Sequence, residues 1–229
     1  MKQSIKTIAL VLFASISAFL TSCDNDETSS PMVQLKFNTI NSTKSIPTGR
    51  VTTNSLTFTE GYIKIREIQF EAETDTDSVE VNIEQTVVID FATGATTPDL
   101  SGLTFPMGTY EEVEVEIELL DENNQPSVVI DGTFVDRNEV SHAIRFEFNS
   151  GETFEVEKEG RIVFGESETV LAQVTFDPGV WFLGVTSEHL EAATKNSSDV
   201  IVISTTQNVN IFEIVADGLD LATEVEISK

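Results

Sequence analysis

The chain is poor in the residues on which most enzymes and nucleic-acid binders rely. Its 229 residues include one Cys, two His, one Trp and two Tyr. A single thiol cannot close an intrachain disulfide, and no Cys/His cluster has zinc-ligand spacing. Lys and Arg number 13 against 39 Asp and Glu, a formal charge of −26. Phosphate backbones are held by basic patches, so this shortage of cations argues against nucleic acid as a partner. It argues equally against adsorption to an anionic membrane by charge alone. No Gly-x-Ser-x-Gly elbow, His-Glu-x-x-His, P-loop or dinucleotide fingerprint is present. What the chain has in quantity is apolar residues, 40% of the total with 15 Phe, which is too many for a disordered acidic tail.

The first segment reads as an address. Lys2 and Lys6 precede an apolar run from Thr7 to Leu20, shorter than the ~20 residues a spanning helix needs. The following Leu20-Thr21-Ser22-Cys23 resembles the lipobox of bacterial lipoproteins, in which the Cys is acylated and becomes the mature N-terminus. The resemblance implies a signal peptide over 1–22 and makes Cys23 the anchor. Each buried CH₂ contributes ~0.8 kcal/mol and stable anchoring takes about two chains, so a multiply acylated Cys23 holds the chain to a membrane. Asp24-Asn25-Asp26-Glu27 resembles the acidic export signal that sends lipoproteins of the Bacteroidetes to the outer face of the outer membrane. In enterobacteria an Asp directly after the Cys favours inner-membrane retention instead, which leaves an inner-membrane or periplasmic location as the alternative. Residues 23–32 read as an acidic, flexible tether. Removing 1–22 takes Lys2 and Lys6 with it, so the mature chain is two charges more acidic.

Beyond the tether, period-two alternation dominates and predicts strands. Leu56 and Phe58 alternate with polar residues, Gly61 interrupts, and Ile63 and Ile65 resume. At Glu67 the phase slips by one before Ile68 and Phe70, which predicts a bulge. Val79–Val81 and Val87–Phe91 read as two strands. The clearest strand is Tyr110 to Leu119, with Val113, Val115, Ile117 and Leu119 on one face and Glu112, Glu114, Glu116 and Glu118 on the other. Asp121–Pro126 is a turn, and Asn149-Ser150-Gly151 predicts a hairpin into Phe154 and Val156. A turn at Asp177-Pro178-Gly179 leads to Trp181 and Leu183. Ser187 caps a short helical run, Val200–Ile203 is a strand, and Asn208–Leu219 has helical spacing with Gly218 as its stop. The fold class expected is all-β: a two-sheet antiparallel β-sandwich over 33–229, with a short helical C-terminal addition at about 187–219.

The segment Phe105-Pro106-Met107-Gly108-Thr109-Tyr110, followed by an alternating strand, is similar to the L-P-x-G-x-Y step of small bacterial β-sandwich lipoproteins. That step recurs in prealbumin-like and immunoglobulin-like domains. From Leu56 to Val185 the chain resembles a family of bacterial secreted and lipoprotein domains of unknown function. The shared features are the long opening strand, the Val87–Phe91 strand, the Pro-x-Gly-x-Tyr step and the Phe176-Asp177 strand end. The resemblance implies a fold and a location; it transfers no functional residues.

Few residues point to chemistry. His142 lies on an apolar strand face and reads as a core or core-edge residue, His189 as a surface one. The Glu112, Glu114, Glu116 and Glu118 ladder would repel itself without compensation, which Lys64 and Arg66 are placed to give. The other reading is calcium held by these carboxylates or by Asp75 and Asp77, since hard cations take oxygen ligands. No other cofactor is expected. Asp77-Ser78-Val79 matches an O-glycosylation pattern of the Bacteroidetes, with Ser78 as acceptor. Trp181 and Tyr110, with Phe182, read first as core packing; exposed together, they would stack on a sugar.

The sequence therefore suggests a non-enzymatic, lipid-anchored binding, adhesion or assembly module whose membrane contact is its N-terminal lipid. Three alternatives are a glycan-binding accessory to an outer-membrane uptake system, a fimbrial or adhesin-related subunit, and a hydrolase using a carboxylate pair. The anchor is directly testable. Intact mass of the membrane-extracted protein should equal the chain from Cys23 plus acyl groups. Cys23→Ser should leave the signal uncleaved and the chain unacylated; an unmodified thiol on the native protein would refute the anchor.

Overall fold

The computed structural model describes residues 32–39, 44–46, 54–100, 103–104, 106–122, 124–149, 153–165, 169–219 and 223–228. In chain order the strands are β1 (Met32–Thr39), β2 (Lys44–Ile46), β3 (Asn54–Glu73), β4 (Ser78–Asp90), β5 (Thr96–Thr97), β6 (Leu103–Thr104), β7 (Gly108–Leu119), β8 (Val128–Val135), β9 (Ser141–Phe148), β10 (Thr153–Phe164) and β11 (Thr169–Phe176). Then come helices α1 (Pro178–Trp181) and α2 (Ser187–Glu191), strand β12 (Ile201–Ile203), helix α3 (Val209–Leu219) and strand β13 (Thr223–Ser228). The small sheet has the order β13-β11-β1-β6. The large one runs β10-β7-β3-β8-β9-β12, with β2, β4 and β5 joined along its other side. The architecture is the expected all-β sandwich. Pairing is antiparallel except for β1 with β11 and β12 with β9, which are parallel.

β3 organises the large sheet because its 20 residues are longer than either neighbour can follow in one piece. β4 runs along one edge. On the other edge β8 pairs with Ser55–Ile63 and β7 with Ile65–Glu73, so β7 and β8 lie in line. Where they meet, the Lys64 amide donates to the Ser127 carbonyl at 2.7 Å and the Lys64 carbonyl accepts from Leu120 at 3.0 Å. Buried Ser127 donates its hydroxyl to the Phe148 carbonyl at 3.2 Å, carrying the joint to the next strand.

Three sequence expectations are corrected by this arrangement. β9 and β10 do not pair as a hairpin: β9 pairs with β8 and β10 with β7. Val79–Val81 and Val87–Ile89 belong to one strand, β4. Trp181 closes the one-turn helix α1 rather than opening a strand, because Asp177 caps it by accepting from the Gly179 amide at 2.7 Å and Pro178 suits its first turn.

The phase slip at Glu67 is real. Register shifts between Ile65 and Glu67 against both β4 and β7, leaving Arg66 as the extra residue opposite β7. A second shift lies between Phe58 and Glu60. Together they keep Leu56, Phe58, Ile63, Ile65, Ile68, Phe70 and Ala72 all buried although their parity changes. They meet Val113, Val115, Ile117 and Leu119 of β7 and, across the sandwich, Leu35, Phe37, Val174 and Phe176 in one core. Each large aliphatic side chain so buried contributes about 1.5–3 kcal/mol.

The helical segment lies between β11 and β13, so a strand follows it. Thr186, not Ser187, caps α2, accepting from the His189 amide while His189 Nδ1 accepts from the Thr186 amide. Gly218 does not end α3: it lies inside the helix, where a Cβ would stand 2.4 Å from the Trp181 carbonyl oxygen. Phe182 beside it packs on Phe58 and Phe146.

Gly61 lets β3 and β8 approach. Its φ is +137°, and a Cβ there would sit 2.0 Å from the Val129 carbonyl oxygen. Gly61→Ala is expected to lower unfolding free energy by about 3 kcal/mol or more, measured by urea denaturation. Wild-type stability in that variant would show the close approach to be dispensable.

Candidate functional site

The outward residues of the large sheet form a broad acidic face. In register across β4, β3 and β7 stand Glu84, Glu67 and Glu118, then Asn82, Gln69 and Glu116, then Glu80, Glu71 and Glu114. Ser78, Glu73 and Glu112 complete the grid. Like charges directly opposite destabilise a sheet. Part of the compensation comes from the bulge, which turns both Arg66 and Glu67 outward. Arg66 forms an ion pair and a hydrogen bond with Glu118 and lies 3.8 Å from Glu67. The Glu118 carboxylate in turn holds the Arg66 guanidinium pKa above its ordinary value. Lys64 spends its charge differently, 4.7 Å above the Tyr62 ring. Asn82 donates to Glu67 Oε1 at 2.7 Å. Glu112, Glu114 and Glu116 also have partners. No ion pair among the described residues involves Glu71, Glu73, Glu80 or Glu84.

β4 forms the border of this face. β3 covers one edge along its whole length, while β5 reaches the other only at Val88 and Ile89. Among the described residues no strand pairs with the outer edge from Ser78 to Val87. The inner face of that stretch is apolar: Val79, Val81 and Ile83 are half-buried against the core.

A second feature sits at the far end of the large sheet. Asp136 accepts from the amides of Asn138 at 2.8 Å and Val140 at 2.9 Å, and lies 3.2 Å from His142 Nε2. His142 stacks on Phe134 at the rim of the core, as its place on the strand predicted. The pair faces a recess of about 290 Å³ that Glu191 and Lys195 also line. Glu191 also forms an ion pair with Arg137. Among the described residues that line the recess, none carries a hydroxyl or thiol. The β8–β9 turn is what the carboxylate visibly organises.

The sequence-predicted residues are scattered. Cys23, Asp24, Asn25, Asp26 and Glu27 lie outside the described residues. Asp75, Asp77 and Ser78 are exposed at the β3–β4 turn, where the Ser78 amide donates to Asp77 Oδ1 at 3.1 Å and Thr74 fixes the Asp77 backbone. Among the described residues no group of three or more His, Cys, Asp or Glu is arranged to hold a metal ion. Trp181 and Tyr110 are 1% and 2% exposed, so both pack in the core and neither offers a ring to a sugar; the stacking alternative is overturned. Tyr110 packs on Phe164 and donates to the Pro106 carbonyl at 3.1 Å, and burial raises its phenol pKa. Sequence reading placed His142 correctly but missed Asp136 as its partner. The signal was available: an acid, Asn two residues on and a strand five residues on, the pattern of a side chain closing its own turn.

The Asp136 carboxyl pKa lies below its ordinary 3.8, chiefly through the Val140 amide and then through His142 and the Asn138 amide. A depressed carboxyl contributes stability that is complete above the ordinary carboxylate range and is lost as pH falls through the depressed value. Asp136→Ala should therefore lower Tm near pH ~7, and the gap from wild type should shrink below about pH 3. A gap independent of pH would mean that ionisation of Asp136 does not matter.

Comparison with protein-family models, with curated proteins and with solved structures finds no match to this chain.

Proposed function

We propose that the chain is a lipid-anchored, extracytoplasmic binding and assembly module without catalytic activity, and that it engages a protein partner through the outer edge of β4. The observation that supports this reading is the edge itself. On the outer edge from Ser78 to Val87 the backbone N–H and C=O groups pair with no strand among the described residues, and such an edge is a template for an added strand. The partly buried Val79, Val81 and Ile83 provide a packing surface on one side of it. A large, rigid sheet behind the edge fixes its geometry in advance, which lowers the ordering cost of association.

The location rests on Leu20-Thr21-Ser22-Cys23 and the acidic residues after it, and a tether of this kind presents a folded module to partners beyond the membrane. Of the alternatives, the fimbrial or adhesin-related subunit shares the same edge. The glycan-binding accessory loses its aromatic platform with Trp181 and Tyr110 in the core. The hydrolytic alternative asks for a carboxylate pair, or His142 beside an acid, in one recess; Asp136, His142 and Glu191 do line one, but Asp136 is already engaged by two backbone amides of its own turn and Glu191 by Arg137.

Site-specific photocrosslinking in the native cell tests the reading. A photoreactive residue in place of Asn82 on the β4 edge should give an adduct with one defined protein, the crosslinked peptide being identified by mass spectrometry. The same residue at exposed Leu183, on the helical side, should not give that adduct. Equal labelling from both positions, or none from Asn82, would overturn it.

A further inference from the structure

We propose that the segment added to β4 is cationic and alternating, with Lys or Arg at every second position and apolar residues between, lying along Ser78–Glu84. This rests on the reading of the β4 edge as the binding element, and it names the chemistry of the partner.

The argument begins with register. A strand added to β4 places its side chains alternately on the sheet's two faces, each beside the β4 residue opposite it. Residues opposite Glu80, Asn82 and Glu84 would extend the acidic face; residues opposite Val79, Val81 and Ile83 would extend the apolar one. Cβ atoms of directly opposed residues stand about 5 Å apart, within ion-pair reach of a Lys or Arg side chain. The acids near this border that no ion pair among the described residues engages are Glu71, opposite Glu80, with Glu73 and Glu84, the last of which also feels the charge of Arg66. Arg66 makes its own ion pairs with Glu67 and Glu118. A partner with positive charge at alternate positions would relieve like-charge opposition already built into the sheet.

The same charges decide against a second copy of this chain. Paired in parallel register, or antiparallel about Asn82, two β4 edges would set Glu80 and Glu84 directly against a Glu of the second copy, and antiparallel about Val81 the same carboxylates would stand diagonally, so like-charge repulsion opposes each pairing. The stretch Ser78–Glu84 contains no Lys and no Pro, two devices that blunt edges against every comer. Its charge is selective: it excludes acidic strands and admits basic ones. The regular run ends where Gln85 and Thr86 oppose Arg66 alone, so the added strand has about seven residues of register.

The test uses the full mature chain and three acetylated seven-residue probes: one alternating Lys with Val, one with the same residues in two blocks, and one alternating Glu with Val. Fluorescence anisotropy should show the alternating Lys probe binding about tenfold or more tighter than either control, with affinity falling as salt rises. Hydrogen exchange should slow at the outward amides of Ser78–Glu84. N-methylation of alternate probe residues, which keeps every charge, should abolish binding in one of its two phases. The double variant Glu80→Lys, Glu84→Lys should reverse the preference towards the Glu probe. Equal affinity for blocked and alternating Lys probes would reduce the interaction to bulk charge and overturn the proposal. So would insensitivity to N-methylation, or concentration-dependent dimerisation protected at the same amides. If the crosslink from Asn82 forms in cells but the Lys probe does not bind, the partner class falls while the edge reading stands; if neither occurs, both fall.

Discussion

Everything in the large sheet depends on keeping one face of a 20-residue strand apolar while that strand serves two different sets of neighbours. A perfectly regular β3 would rotate half its hydrophobic side chains into water, since a one-residue slip inverts every position. The extra residues near Thr59 and Arg66 absorb the mismatch. Between them lies Lys64, whose backbone N–H and C=O clasp the start of β8 and the end of β7. With that clasp in place, β7 and β8 can follow each other along one edge, β9 and β10 can follow them in turn, and a long two-part sheet replaces a row of simple hairpins.

The bulge at Arg66 also governs the electrostatics. Had β3 kept strict alternation, Arg66 and Glu67 would point to opposite faces. Because both point outward, a cation arrives in the middle of a surface dominated by carboxylates and pairs with Glu118. Geometry that serves the core thereby tempers the repulsion outside it. The tempering is local: towards β4 the acids outnumber what Arg66 can reach, and the uncompensated charge lies along a strand whose outer edge no other strand covers from Ser78 to Val87 among the described residues.

How much of this was written in the residues varied with the range of the interaction. Alternation over Tyr110–Leu119, the slip at Glu67 and the Glu112–Glu118 ladder are local patterns, and all survive in the structure. The route taken after Asn149 is not local. A turn signal at 149–151 says that the strand stops; whether the chain then doubles back or continues in line depends on which partner β7 and β8 leave free. Helix α1 was hidden for the opposite reason, because four residues are too few for any period to register. The partnership of Asp136 with His142 joins a turn to a strand, and among the neighbouring charges of Arg137 and Glu139 nothing marks Asp136 as the one that folds back. Trp181 and Tyr110 were read by type, and type alone does not reveal depth: burial placed both inside.

The position of β1 has a mechanical meaning. It is an interior strand of the small sheet, hydrogen-bonded to β11 over all 8 of its residues and to β6 on its other side. Any tension applied through the chain ahead of Met32 runs along the axis of β1. Such a load strains the β1–β11 hydrogen bonds in shear, all at once, rather than peeling them in succession. A module held by its N-terminal end and pulled at a distant strand would therefore yield only when the small sheet fails as a whole. The ordering of four short strands thus sets the force at which the protein lets go.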